Sequence, residues 1–328
     1  GYGELSAVQA TVWMFGSFAS FGLSLTATKF VAEFRRSDPA RAGQVIGLST
    51  LTSVGVASVV SAAFFLLGPW LARSALGAEH LGGMMRIAGL LVLLGAVNGA
   101  QAGALAGLDA FRAMSRVTVV ASVASLATTV AGAAAAGLEG ALWGMAFGLA
   151  TNAILNARAV RAEAMRLGIA VTFAGCHREW RLLTAFLLPT AIAEVMVGPI
   201  TWVCAAVLLN QRGGYAEFGI YSAVMRVKLL PEFLLGSLRL PLLPALTARL
   251  GGGDEAGYGR TLGLAHAVSF AVMVPFAFLL ALVPEAALVP FGRVFLGHNA
   301  VVRWLMLQAV LVGLFQPIGS VLASINRM

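Results

Sequence analysis

The stretch Val45–Leu71, VIGLSTLTSVGVASVVSAAFFLLGPWL, carries no charged side chain from end to end. As an α-helix rising about 1.5 Å per residue, a run of this length crosses the roughly 30 Å of hydrocarbon in a bilayer. Its apolar residues are continuous rather than alternating, so it does not read as a barrel strand, which needs a period of two. Runs of the same kind recur on both sides. Nine spans emerge: Glu4–Ala32, Val45–Leu71, Gly83–Leu108, Met114–Ala136, Ala141–Ala159, Leu182–Leu209, Phe218–Thr247, Leu262–Val289 and Val302–Ile325.

Composition supports the same reading. Of 328 residues, 59% are hydrophobic and 11% charged, and the mean hydropathy is +0.88. A water-soluble domain of that make-up would lack the polar shell to cover its core. The expected fold is therefore all-α, a polytopic transmembrane helical bundle with no soluble domain left over. Cys176 and Cys204 are isolated beside or within apolar segments, where cysteine acts as a small hydrophobe rather than a disulfide or metal partner.

The net charge of +8 comes mostly from arginine, with Lys29 and Lys228 the two lysines. Fourteen of the 22 basic residues fall in or beside loops on one side of the expected membrane. Five fall on the other side (Arg73, Arg86, Arg212, Arg293, Arg303), and three lie inside a span (Arg226, Lys228, Arg239). Basic residues collect on the cytoplasmic side, so Gly1 is expected outside and Met328 in the cytoplasm. The charge thus reports orientation and implies no nucleic-acid partner.

A short internal repeat points to two pseudo-symmetric lobes. GYGE at Gly1–Glu4 and GYAE at Gly214–Glu217 each lead into a span, and each is followed, six residues after its Glu, by an alanine, Ala10 or Ala223. A whole span precedes the second copy, so by symmetry a helix is expected before the first, and further helices after Met328. The Arg-rich connection Val160–Arg181 is the natural boundary, giving residues 1–170 as an N-terminal lobe lacking its first helix and 171–328 as a truncated C-terminal lobe. In that connection Arg161, Arg166, Arg178 and Arg181 surround Met165, Leu167, Ile169, Val171 and Phe173. This pattern fits either a segment lying on the anionic inner leaflet or a solvated linker.

Two glycine stripes recur every fourth residue: Gly95, Gly99, Gly103 and Gly107 in one span, Gly140, Gly144 and Gly148 in another. Such faces let a neighbouring backbone approach closely, and they are smooth enough to slide. Asn98, Gln101, Asn152, Asn156, Thr190, Gln308 and Gln316 are expected to make interhelical hydrogen bonds.

The span Phe218–Thr247 holds the chemistry. It contains Arg226, Lys228, Glu232 and Arg239 together with Pro231, Pro241 and Pro244. One basic side chain at mid-bilayer costs about 2.5–3.5 kcal/mol, so three cannot all face lipid. At about 100° per residue, Lys228, Glu232 and Arg239 share a face and Arg226 lies nearly opposite. Lys228 and Glu232, four apart, are placed to pair. The cations left over predict a hydrated, positively charged cavity, and the prolines are expected to bend or break the helix. Arg226, Arg239 and Lys228 are the candidate substrate-binding residues. Glu194 and Glu232 are the candidate carboxylates for coupling to H⁺ or Na⁺.

Enzyme motifs are missing. Neither lysine follows a glycine, so no P-loop exists and no nucleotide partner is expected; H-E-x-x-H, C-x-x-C and G-x-S-x-G are also absent. No catalytic residue, metal site or cofactor is expected. An ion- or substrate-driven carrier is preferred over an intramembrane enzyme.

The opening GYGELSAVQATVWMFGSFASFGLSLTATKFVAE, ALAGLDAFRAMSRV (Ala104–Val117), GLEGALWGMAFG (Gly137–Gly148), and GGYAEFGIYSAVMRVKLLPEF (Gly213–Phe233) followed by LPLLPAL resemble bacterial polysaccharide biosynthesis proteins of the O-antigen flippase type. These belong to the multidrug/oligosaccharidyl-lipid/polysaccharide exporter superfamily. The resemblance implies two six-helix bundles around a central cavity, so nine spans of twelve or more are present. It also implies a multi-pass protein of the bacterial inner membrane that moves an undecaprenyl-pyrophosphate-linked oligosaccharide from the cytoplasmic to the periplasmic leaflet. A pyrophosphate head group suits the cations named above, joined by Lys29 from the opening span. Two alternatives remain. A cation-coupled multidrug exporter would want a carboxylate inside the first bundle, whereas Glu4, Glu33, Asp38, Glu79, Asp109, Glu139 and Glu163 lie in loops or at span ends. A membrane glycosyltransferase or polymerase would want a large outer loop.

Overall fold

The computed structural model describes residues 1–20, 22–173, 198–251 and 254–325. The described residues form helices and turns, with no strand among them. In chain order the helices are α1 (Tyr2–Ser20), α2 (Leu23–Ser37), α3 (Pro39–Ser74), α4 (Gly82–Gly107), α5 (Phe111–Arg166), α6 (Gly198–Leu209), α7 (Gly214–Gly251), α8 (Glu255–Leu282), α9 (Glu285–Leu288) and α10 (Asn299–Ile325). By length and composition, α3, the α4 region, α5 and α8 are able to cross a membrane, and α1 with α2 makes a further span bent by 42°. The fold class read from the sequence is the one found.

Local chemistry sets most boundaries. Gly22, with φ 64°, sits at the α1–α2 bend, in a conformation that glycine adopts without steric penalty. Asp38 caps α3 by accepting from the Arg41 backbone N–H at 3.1 Å, and Pro39 occupies the first turn where no donor is needed. The two expected spans Met114–Ala136 and Ala141–Ala159 are the arms of α5, folded back at Ala136 and at Gly137, whose φ is 58°. Both copies of the short repeat open helices, with Glu4 and Glu217 in the first turns of α1 and α7, where the helix dipole favours an acid.

The expected span Leu262–Val289 needs a correction. α8 ends at Leu282, because Pro284 disfavours helical geometry at Val283, and short helical turns follow to Phe295. Of the bend or break expected from the prolines of α7, the break does not occur: the helix is continuous from Gly214 to Gly251 through Pro231, Pro241 and Pro244. Each proline removes one donor without ending the helix. Of the expected span Leu182–Leu209, residues 198–209 are described as helix.

Chain contacts divide the protein into two compact units, Gly1–Tyr215 and Ala216–Met328. In the first, glycine lets backbones touch. A Cβ on Gly140 would stand 2.0 Å from the Gly132 carbonyl oxygen, and one on Gly144 would stand 2.2 Å from that of Thr128. Thr128 Oγ1 also donates to the Gly144 carbonyl at 2.8 Å, so the stripe expected in the second arm of α5 seals the hairpin. The α4 stripe is split. Gly103 and Gly107 pack on Ser24, Thr28 and Val31 of α2, while Gly95 and Gly99 meet open space.

At one end of this unit Phe30, Phe34, Val45, Ile46, Leu105, Leu108, Val160 and Ile169 form an apolar cluster. Ile169 is therefore buried. Beyond it the backbone crosses α3, where a Cβ on Gly43 would meet the Ala170 carbonyl oxygen at 2.0 Å and one on Gly47 that of Thr172 at 2.2 Å. Of the connection after α5, residues 169–172 form a strap seated on α3, while Met165, Leu167 and Phe173 are exposed. Arg178 and Arg181 lie outside the described residues.

At the other end Asn210 Nδ2 donates to the Ala75 carbonyl and Tyr215 Oη to that of Leu76, both at 2.8 Å. Burial, with the charge of Glu4 adding to it, pushes the Tyr215 phenol up to about 12. The outer faces of the long helices are apolar, with Leu66, Trp70, Leu126 and Phe147 exposed as lipid-facing side chains should be.

Candidate functional site

The second unit has an apolar core in which Val224 of α7 packs with Ala277 and Leu280 of α8 and with Val302 and Met306 of α10. Lys228 follows Val224 by about one helical turn on the same face, and is itself only 4% exposed. A buried ammonium needs oxygen partners, and among the described residues this one has two. Its Nζ donates to Gln308 Oε1 of α10 at 3.2 Å and pairs with Glu232 Oε1 at 3.3 Å. The i,i+4 pairing read from the sequence is therefore present. The two partners differ in setting. Gln308 reaches across from another helix, whereas the Glu232 side chain stays 25% exposed.

Arg226 projects from the other side of α7 and is exposed, on a face shared with exposed Leu230 and Phe233. This agrees with the helical phase expected for it. Arg239 lies within α7, but its side chain is outside those described, as is that of Gln316, and Glu194 lies outside the described residues altogether. Lys29 belongs to the first unit, where it is exposed on α2 with its ammonium 5.2 Å from the centre of the Phe30 ring. Of the candidate site residues, the structure brings Lys228 and Glu232 together.

Among its described residues the first unit handles interior polarity without charge. Asn98 Nδ2 donates to the Leu94 carbonyl at 2.9 Å and the Leu149 carbonyl at 3.0 Å. Asn156 Nδ2 donates at 3.2 Å to both Asn98 Oδ1 and Asn152 Oδ1. The Asn98–Leu149 and Asn156–Asn98 bonds are interhelical, as expected of intramembrane carboxamides, and tie α4 to the second arm of α5, whereas the bonds to Leu94 and Asn152 stay within one helix. Among the described residues no carboxylate of this unit is buried. Its acids sit at helix ends: Asp109 pairs with Arg35 at 3.4 Å, Glu163 with Arg166 at 3.0 Å, and Glu4 with His80 at 2.9 Å.

Gln308 is the residue whose role sequence reasoning missed. An amide inside a span signals some hydrogen bond, but nothing local to residue 308 names a lysine far upstream as its partner. Among the described side chains of the second unit, Lys228 on α7 is the buried charge, supported by an amide from α10.

The model of the family described as polysaccharide biosynthesis protein matches residues 1–248. The chain belongs to that family. Two solved structures share its fold. One is an inward-facing conformation of a multidrug resistance MATE family transporter of the MOP superfamily, with a TM-score of 0.77 and 16% identity, covering 99% of this chain and 79% of that one. The other is an outward-facing conformation of such a transporter, with a TM-score of 0.65 and 15% identity, covering 97% and 74%. No curated protein matches by sequence. This polysaccharide biosynthesis family member is a multi-pass membrane protein whose helical fold is shared with those two structures.

Proposed function

We propose that the protein is a transporter that flips an undecaprenyl-pyrophosphate-linked oligosaccharide from the cytoplasmic to the periplasmic leaflet of a bacterial inner membrane by alternating access. The observation that carries this reading is the set of cations on α7. Arg226, Lys228 and Arg239 lie within one membrane-length helix of a family member, and Lys228 is buried. Cations at membrane depth point to a substrate pathway, and guanidinium groups are suited to bidentate recognition of phosphate oxygens. Arg226 and Arg239 are the principal head-group contacts in this reading, with Lys228 and Lys29 adding charge. Glu194 and Glu232 are the carboxylates through which H⁺ or Na⁺ would couple. Residues 1–170 and 171–328 act as the two lobes, with Gly1 on the periplasmic side and residue 328 on the cytoplasmic side.

A cation-coupled multidrug exporter is the second reading, favoured by the two solved transporters of that kind. The lack of a buried carboxylate among the described residues of the first unit weighs against it, because a cationic drug or ion would need one. The test is complementation of a flippase-null strain by the full-length protein. Wild type should restore surface-glycan export, and Arg226→Ala with Arg239→Ala should abolish it while membrane insertion persists. Export by the double variant would overturn the cationic-site reading, and drug resistance in a drug-sensitive host would favour the exporter.

A further inference from the structure

We infer that Glu232 is a tethered counter-anion for Lys228, and that a pyrophosphate head group binds by displacing the Glu232 carboxylate while Gln308 keeps the ammonium in place. The inference rests on the anionic-substrate reading above and adds how that site is closed when empty.

The argument begins with the burial of Lys228. A cation only 4% exposed cannot be left bare between transport cycles, because an unpaired buried charge is strongly unfavourable. Among the described residues its three N–H donors face two oxygens of different kinds. The Gln308 amide is neutral and comes from α10, so it holds the ammonium in position without cancelling its charge. The Glu232 carboxylate cancels the charge and sits on the same helix, four residues on. It is also the partner that reaches outward, being a quarter exposed, so it can turn away while the lysine stays.

A pyrophosphate oxygen and the Glu232 carboxylate want the same donors, since each is an anionic acceptor that forms a charge-assisted bond to the ammonium. They are therefore mutually exclusive occupants. Three consequences follow. A neutral or cationic ligand has no means of taking the carboxylate's place, so the pair selects for anions. Affinity for the head group is reduced by the competing carboxylate, which keeps binding reversible. Return of the carboxylate then assists release. Gln308 is a positioning residue here, because it acts through Lys228.

The experiment measures binding of two probes, inorganic pyrophosphate and geranyl pyrophosphate, to the full-length protein in nanodiscs by calorimetry. Wild type is compared with Glu232→Gln, Lys228→Gln, the double variant and Gln308→Glu, each checked for a monodisperse, cooperatively melting sample. Removing the tethered anion should tighten binding about ten-fold or more, the scale expected for a close charge pair. The same substitution should lower both the half-saturating substrate level and the turnover of export. Lys228→Gln should lose that affinity, and Glu232→Gln should then add nothing in its background. Gln308→Glu, which keeps the lysine and adds a second competing carboxylate, should weaken binding. It gives an independent readout if Lys228→Gln does not fold.

A response to both probes would show that head-group chemistry suffices, and a response to geranyl pyrophosphate alone would show that the lipid-borne form is required. Unchanged or weaker binding by Glu232→Gln, with wild type still binding, would overturn the tethered-anion proposal and leave the anionic-substrate reading standing. Failure of both probes to bind any variant, with a cationic drug bound instead, would overturn both.

Discussion

The two units solve the same problem, polar groups inside an apolar solvent, in opposite ways. The first brings backbones together through Gly132, Gly140, Gly144, Gly103 and Gly107 and, among its described residues, confines its interior polarity to neutral groups such as Asn98, Asn152 and Asn156. The second buries a charge, Lys228, and satisfies it with one neutral and one anionic oxygen. A neutral amide network is satisfied once and stays so. A buried ion pair contributes little net stability but punishes the loss of either member, which suits a site where partners are exchanged.

That contrast can be broken most sharply in the second unit. Glu232→Leu strands the Lys228 ammonium with Gln308 as its remaining described partner, and should cost about 3–5 kcal/mol of stability. Glu232→Gln retains an acceptor oxygen and should cost much less. Thermal melting of the two purified variants checks this. If Glu232→Leu melts with wild type, the Lys228 charge is compensated by something other than the pair.

The next largest effect lies in the first unit. Gly144→Ala places a Cβ 2.2 Å from the Thr128 carbonyl oxygen, and backbone cannot swing aside as a long side chain would. The arms of α5 must separate, which breaks the Thr128–Gly144 hydrogen bond as well. Overpacking of this kind costs about 1–3 kcal/mol, read as a lower melting temperature, with no change in pyrophosphate affinity. A changed affinity at unchanged stability would mean that the hairpin lines the substrate path.

The reach of sequence reasoning follows from the range of the signal it uses. Val45–Leu71 announces a spanning helix because hydropathy is local, and the turn of α5 was legible because Gly137 supplies the positive φ that a fold-back there requires. The Lys228–Glu232 pair was legible for the same reason, since four residues make one helical turn. Gln308 was not, because its partnership with Lys228 depends on how α10 packs against α7. The strap over α3 was not legible in the alternation of Arg with apolar residues around it. The better signal was on the other partner: Gly43 and Gly47, four apart at the start of α3, mark a face stripped for backbone to lie on. The prolines of α7 do not break it, since a helix held by neighbours survives the loss of single donors.

The smallest predicted effects come from α4, where one stripe meets two environments. Gly103 and Gly107 have Ser24 and Val31 within 2.2 and 2.7 Å of an added Cβ, whereas Gly95 and Gly99 have nothing within 4 Å. Spacing alone treats all four alike. Alanine at Gly95 or Gly99 meets no clash and replaces the most entropically expensive helical residue, so it should leave stability unchanged or raise it by about 0.5–1 kcal/mol. Alanine at Gly103 should lower it, by forcing α2 away and stretching the 3.1 Å bond from Thr28 Oγ1 to the Gly103 carbonyl. Melting temperatures of the single variants should therefore change in opposite directions along one helix. Equal destabilisation at Gly95 and Gly103 would mean that another helix seats against the open half of the stripe, and the neutral, glycine-packed description of the first unit would then extend to that contact too.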